Sequence, residues 1–120
     1  MQKIVFLLAI ALLSLSCQSQ QDPKIKVLPA AEYKTALSNG QVQLVDVRTS
    51  QEFAQGAIPG AVNIDVTNGV FDRAIQQLDK TKPVYIYCRS GARSQTAARK
   101  MVALGFTEVI DLRGGYLQWR

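Results

Sequence analysis

Apolar positions along the chain fall into two kinds of block. "VQLVDV" (42–47), "PVYIYC" (83–88) and "TEVIDL" (107–112) are short, nearly continuous apolar runs, the pattern of strands buried on both faces of a sheet. "IKVL" (25–28) is a further strand candidate, and "IPGAVNI" (58–64) turns at Pro59-Gly60 into another. Between them the apolar spacing changes to three and four. "PAAEYKTALSNG" (29–40) predicts a helix opened by Pro29 and stopped at Asn39-Gly40. "SQEFAQG" (50–56) predicts a short helix with Ser50 as its N-cap. "GVFDRAIQQLDK" (69–80) predicts an amphipathic helix with Val70, Phe71, Ala74, Ile75 and Leu78 on one side. "SQTAARKMVALG" (94–105) predicts a helix stopped by Gly105, and Gly114-Gly115 leads into a terminal "YLQW". Strands alternating with helices, without a clear internal repeat, argue for an α/β fold: three layers, a central parallel sheet flanked by helices on both faces.

One block lies outside this alternation. "MQK" is a short cationic start, "IVFLLAIALL" (4–13) is apolar on every face, and "SLSC" follows. The order matches a secretory signal peptide, and the run is too short for a permanent membrane span. Ser16-Cys17 resembles a bacterial lipobox, which is cleaved before the cysteine so that its thiol is diacylated. Ser14 stands where many lipoboxes carry Leu, so ordinary signal cleavage is the alternative. The expected organisation is a signal peptide over 1–16, a lipid-anchored polar tether over 17–24 that reaches about 25 Å extended, and one domain over 25–120. A chain of 120 residues has room for one core. Gln18 is not the Asp that commonly retains lipoproteins at an inner membrane. The expected location is therefore a periplasm-facing lipoprotein of the outer membrane, with a soluble periplasmic protein as the alternative.

Charge narrows the partners. Fourteen basic and nine acidic residues leave a net +5, but the basic residues are scattered and form no K/R-rich block, so no nucleic acid is expected. Contact with a membrane is expected through the lipid anchor only, and the domain is expected to be a monomer. Arg89 and Arg93 are the exception to the scatter, because both sit beside Cys88.

The chain holds two cysteines and no histidine. With Cys17 lipidated, Cys88 is the only thiol of the domain and has no partner for an internal disulfide. Without histidine or a CxxC pair, a Cys/His zinc site and a thioredoxin-type redox pair are excluded. No metal or cofactor is expected. Any activation of Cys88 must come from something other than an imidazole.

The stretch "VYIYCRSGARS" (84–94) offers that something. Cys88 ends a strand, and in such sheets ligands bind beyond the carboxyl ends of strands. The loop Cys88, Arg89, Ser90, Gly91, Ala92, Arg93 then opens a helix. Gly91 permits positive φ, so successive N–H groups can converge on an anion. The helix N-terminus adds its free N–H groups and dipole, and the arginines add formal charge. All three favour a thiolate and an anion built on that sulfur. A buried, inert cysteine ending a core strand is the plain alternative. Packing alone does not explain two arginines, a glycine and a helix start within seven residues.

"CRSGARS" resembles the active-site loop of the rhodanese (thiosulfate sulfurtransferase) family, and three other motifs follow that family's order. "VDVRTSQEF" is similar to its D-x-R…E-[FY] segment, "GAIPGAVNI" to its G-H-I-P-G-A-x-N-[IL] segment, and "LRGGYLQW" to its closing G-G-…-W. The resemblance covers 25–120. It implies a single-domain rhodanese fold and a sulfurtransferase in which Cys88 carries a persulfide. Sulfane sulfur would move from a small donor such as thiosulfate to a thiol or cyanide acceptor, or to an acceptor protein. Ala57 stands where the family commonly has His, which alters contacts near the pocket rim without removing the sulfur carrier.

The remaining motif residues read as structural. Asp46, Arg48 and Glu52 form an ion-pair and loop-bracing set, Pro59-Gly60 is a turn, and Asn63 bonds loop backbone. Gly114 and Gly115 allow close backbone approach near the Cys88 loop, and Trp119 is a lid or core residue. Two other functions compete. A cysteine phosphatase or arsenate reductase of this type wraps phosphate in C-x5-R, whereas Cys88 to Arg93 is C-x4-R, one residue shorter. A non-enzymatic sulfur carrier or protein-binding module would use the same fold, and the intact Cys88 argues only against pure scaffolding.

Overall fold

The computed structural model describes residues 22–119. The expected signal peptide and Cys17 lie outside the described residues, as does most of the 17–24 tether. The elements are β1 (Ile25–Leu28), α1 (Ala30–Ser38), β2 (Gln43–Asp46), α2 (Ser50–Ala54), β3 (Val62–Asn63), α3 (Phe71–Ala74), β4 (Val84–Tyr87), α4 (Ala92–Ala103), β5 (Val109–Leu112) and α5 (Tyr116–Trp119). The five strands form one parallel sheet in the order β1-β5-β4-β2-β3. The fold is thus α/β, with a central parallel sheet flanked by helices. Strand β4 occupies the middle of the sheet, so the residue after it emerges at the centre of the carboxyl edge.

The sheet's two faces carry separate cores. Val45, Val47, Val84, Ile86, Cys88 and Val109 share one buried cluster with Ala97, Ala98 and Met101 of α4 and with Phe71 and Ile75. Leu44, Tyr87, Ile110 and Leu112 share the other with Tyr33 of α1, and Tyr116 and Trp119 of α5 pack against it. Alternation along β4 therefore sends Val84, Ile86 and Cys88 toward α4, while Tyr85 and Tyr87 face α1 and α5. The small residues Ala97 and Ala98 let α4 lie close to the sheet beside Cys88.

Two expected elements differ. The N-cap of α2 is Thr49, not Ser50: its hydroxyl accepts from Glu52 N at 3.2 Å while the Glu52 carboxylate reaches back to Thr49, a reciprocal capping box. The amphipathic stretch 69–80 forms only the single turn α3 and a 3₁₀ turn, Ile75–Gln77. It stops there because Leu78 is extended, and the Gln43 side-chain amide binds both the N–H and the C=O of Asp79. That bond ties the segment to β2 and holds it out of a helix.

Candidate active site

Cys88 follows β4 directly and is 1% exposed. The loop after it folds back over the sulfur. Gly91, at φ +118°, is the N-cap of α4, and its N–H donates to Cys88 Sγ at 3.0 Å. The Sγ in turn lies 3.3 Å from Ser94 Oγ, to which the thiol donates, and the Ser94 hydroxyl donates to Gly91 O at 3.1 Å. Among the described residues, the backbone N–H groups of Arg89, Ser90, Ala92 and Arg93 meet no acceptor. The N-terminus of a twelve-residue helix, with its free first-turn N–H groups, thus begins beside the Cys88 sulfur.

The loop is clamped from two sides. Arg93 donates to Glu52 through both terminal nitrogens, at 2.6 and 2.9 Å. This forked pair joins α4 to α2. The Arg93 guanidinium holds the Glu52 carboxyl down at about 2, with the Thr49 cap helping and burial opposing. Glu52 in return raises Arg93 above the ordinary arginine value. On the other side, Tyr116 N donates to Cys88 O at 2.8 Å and Leu117 N to Arg89 O at 3.2 Å. Gly115 makes that approach possible: a Cβ there would lie 2.4 Å from Arg89 O and 2.7 Å from Cys88 O.

The three expected bracing residues act in two units rather than one. Asp46 and Arg48 form their own buried pair, with Arg48 Nη2 2.6 Å from Asp46 Oδ2 and Nε within 3.0 Å of both carboxylate oxygens. Arg48 also donates to Gly56 O at 2.7 Å, and its guanidinium lies 4.5 Å from the Tyr116 ring centre. Burial opposes the Arg48 charge, but the bond to Asp46 and its charge prevail and raise the group. Glu52 belongs instead to Arg93. The reason is geometric: Asp46 ends β2 in the sheet, two residues from Arg48, whereas the α2 cap turns Glu52 toward α4.

The other sequence candidates fall around this frame. Asn63 donates to Asp46 O and Arg48 O, fastening β3 to the segment after β2. Ala61 N closes the Pro59-Gly60 turn onto Ile58 O at 3.1 Å. Trp119 packs with the α1 side of the sheet, with Lys34 Nζ 4.7 Å from its ring centre. It is half-buried against the core on the face of the sheet opposite Cys88. Ser94 and Tyr116 were absent from the sequence candidates, yet both touch the Cys88 segment.

Beside the loop opens a cleft of about 270 Å³, lined by Arg48, Glu52, Gln55, Gly56, Arg89, Tyr116 and Leu117. Arg48 and Glu52 spend their charge on Asp46 and Arg93. Arg89 is exposed and forms no ion pair among the described residues. The net field at the mouth of the site is therefore positive.

A model of the rhodanese-like domain matches residues 29–120. The chain belongs to the rhodanese-like domain family. Among its rhodanese-like relatives, a protein named "Sulfurtransferase" from Allochromatium vinosum is 41% identical over 78 residues, covering 65% of this chain and 71% of that one. A protein named "Thiosulfate sulfurtransferase GlpE" from Pseudomonas syringae pv. syringae is 35% identical over 97 residues, 81% of this chain and 89% of that one. The crystal structure of a rhodanese-like domain protein from Staphylococcus aureus superposes with a TM-score of 0.72 at 31% identity, covering 79% of this chain and 91% of that one. Both of these relatives are named sulfurtransferases, and the family match spans the whole Cys88 loop.

Proposed function

We propose that the protein is a sulfurtransferase that carries sulfane sulfur as a persulfide on Cys88. The observation that carries this reading is the Cys88 loop itself, a buried thiol that accepts from the Gly91 N–H at the N-terminus of α4. The Cys88 thiolate attacks the outer sulfur of a donor such as thiosulfate. The donor's S–S bond breaks, sulfite leaves with the bonding pair, and the terminal persulfide sulfur takes the negative charge. The Gly91 N–H, already 3.0 Å from Cys88 Sγ, and the N-terminus of α4 would stabilise that charge. A thiolate or cyanide acceptor then attacks the outer sulfur, and the Cys88 thiolate is released. With Cys88 only 1% exposed, the site favours a donor with a narrow, single-atom terminus over a bulky one.

Arg89 supplies long-range attraction for an anionic donor, since its charge is free of any ion pair among the described residues. Arg93 serves as a strut of the loop, because its forked pair with Glu52 consumes its hydrogen-bonding geometry. A turnover assay with thiosulfate and either cyanide or a small thiol tests the reading. Steady sulfite release that disappears in Cys88→Ser supports the enzyme. A single stoichiometric transfer without turnover identifies a sulfur carrier instead, and phosphate-ester hydrolysis without sulfite release would replace the reading altogether.

The proposed setting is the periplasm, with Cys17 acylated as the mature N-terminus. Support comes from the cationic, apolar and small-residue order of residues 1–17. Two or three acyl chains anchor a protein firmly, whereas one is marginal. Cys88 would then work in an oxidising compartment with no second cysteine in its domain, so an external thiol or an acceptor protein must discharge it. Labelling with a palmitate analogue should mark the wild type and spare Cys17→Ala; an unlabelled soluble product leaves plain secretion.

A further inference from the structure

Helix α5 has only four residues, too few to stand by its own hydrogen bonds, yet its backbone fastens the Cys88 segment. Tyr116 N donates to Cys88 O at 2.8 Å and Leu117 N to Arg89 O at 3.2 Å. Contacts from outside the turn must therefore set where those two donors stand, and the Tyr116 side chain makes them.

The Tyr116 ring sits in a three-sided socket at the carboxyl edge of the sheet. Tyr87, the last residue of β4, stacks against it with 6.0 Å between ring centres and 28° between planes. The Arg48 guanidinium lies over the ring, 4.5 Å from its centre. Gly56 makes the third side, where a Cβ would stand 3.1 Å from the Tyr116 hydroxyl oxygen. Arg48 joins these walls, since it donates to Gly56 O at 2.7 Å and lies 5.6 Å from the Tyr87 ring centre. Arg48 is itself held in place. It is 4% exposed, and its Nε and Nη2 meet the Asp46 carboxylate at 2.6 to 3.0 Å. Asp46 ends β2 directly beside Tyr87 of β4.

We infer that Arg48 is a positioning residue for Cys88, acting through the Tyr116 ring. The bonds to Asp46 fix the cation, the cation and Tyr87 fix the ring, and the amides of the same turn fix Cys88 O and Arg89 O. A cation over an aromatic face is attracted most strongly where water is excluded, as it is around Arg48. Lysine could balance Asp46, but one ammonium cannot meet the carboxylate, Gly56 O and the ring together. The charge pair after β2 thus sets the position of the loop after β4, in which Gly91 N stands 3.0 Å from Cys88 Sγ.

The consequence for turnover rests on Cys88 being the sulfur carrier, whereas the chain of contacts is tested without a sulfur donor. Amide hydrogen exchange of the full chain, followed by NMR, reads the Leu117 N–H, in a residue that no variant alters. Dividing its protection by that of Tyr85 and Ile86 in β4 removes any loss of global stability. Arg48→Lys and Tyr116→Leu should each lower this ratio by about tenfold, and the double variant by no more, because both break one contact. Tyr116→Phe keeps the ring and should stay within about threefold of wild type. In sulfite release, Arg48→Lys and Tyr116→Leu should lower kcat for thiosulfate and spare KM, as lost positioning does. Wild-type protection of Leu117 in Tyr116→Leu overturns the inference, and so do losses that multiply in the double variant. A raised KM with Leu117 protection intact would make these residues substrate contacts and overturns it too. Where Arg48→Lys does not fold, the two Tyr116 variants decide: equal protection in both overturns the inference. Absence of turnover in the wild type counts against the sulfurtransferase reading and leaves the exchange result to decide this one.

Discussion

Replacing Gly115 with alanine perturbs the site without touching any group that meets substrate. The new Cβ would stand 2.4 Å from Arg89 O, 2.5 Å from Arg89 C and 2.7 Å from Cys88 O. All three are backbone atoms, so no side chain can turn aside. Restoring an ordinary contact of about 3.4 Å requires the loop and α5 to separate by ~1 Å. That displacement stretches the bonds from Tyr116 N to Cys88 O and from Leu117 N to Arg89 O, which start at 2.8 and 3.2 Å. Losing them costs about 1 kcal/mol each, and holding alanine at the left-handed φ of +66° adds ~1–2 kcal/mol. Gly115→Ala should therefore lose about 3–4 kcal/mol of stability in urea unfolding. A misplacement of ~1 Å in a preorganised site reduces rate by roughly 100-fold. Sulfite release from thiosulfate, measured well below the unfolding midpoint, should fall by that order even where circular dichroism shows the fold intact. Wild-type turnover in Gly115→Ala would refute the claim that α5 positions the Cys88 loop.

Other perturbations read separate parts of the structure. Glu52 contributes stability that is fully present above its ordinary pH of 4.5 and lost as pH falls toward about 2. Because the pair is about a quarter exposed, Glu52→Gln should cost ~1–2 kcal/mol at pH 7, shrinking to nothing near pH 2 in acid titration of the urea midpoint. Asp111 has the opposite sign: its carboxyl is raised from 3.8 to about 6, so the charged form burdens the fold at neutral pH. Asp111→Asn should stabilise by up to ~3 kcal/mol at pH 8, and the gain should vanish below pH 4. Arg89→Glu should raise KM for thiosulfate much more than for an uncharged persulfide donor; equal effects on both would make Arg89 a structural residue.

How much of this was legible in the sequence depended on the range of the interaction. The strands announced themselves, because wholly apolar runs such as "PVYIYC" have no other use in a small domain, and β-α alternation then dictated a parallel sheet. The strand end, Gly91 and the helix start placed Cys88 from local signals alone. Partner choice was not local. Thr49 and Ser50 are both good caps, and only the fold decides which one faces the first turn. Likewise Glu52, four residues after Arg48 in the chain, bonds to Arg93, forty-one residues away. Ser94 and Asp111 were overlooked although a signal existed. A single acid inside "TEVIDL" is a charge in a strand otherwise built for burial.

The most direct test of the account is the mass of the reduced, intact protein after brief exposure to thiosulfate. A persulfide on Cys88 predicts one added sulfur atom per chain, mapped to the peptide carrying Cys88, removed by cyanide and absent in folded Cys88→Ser. No adduct from thiosulfate or any other sulfane donor, or an adduct that persists in Cys88→Ser, would contradict it.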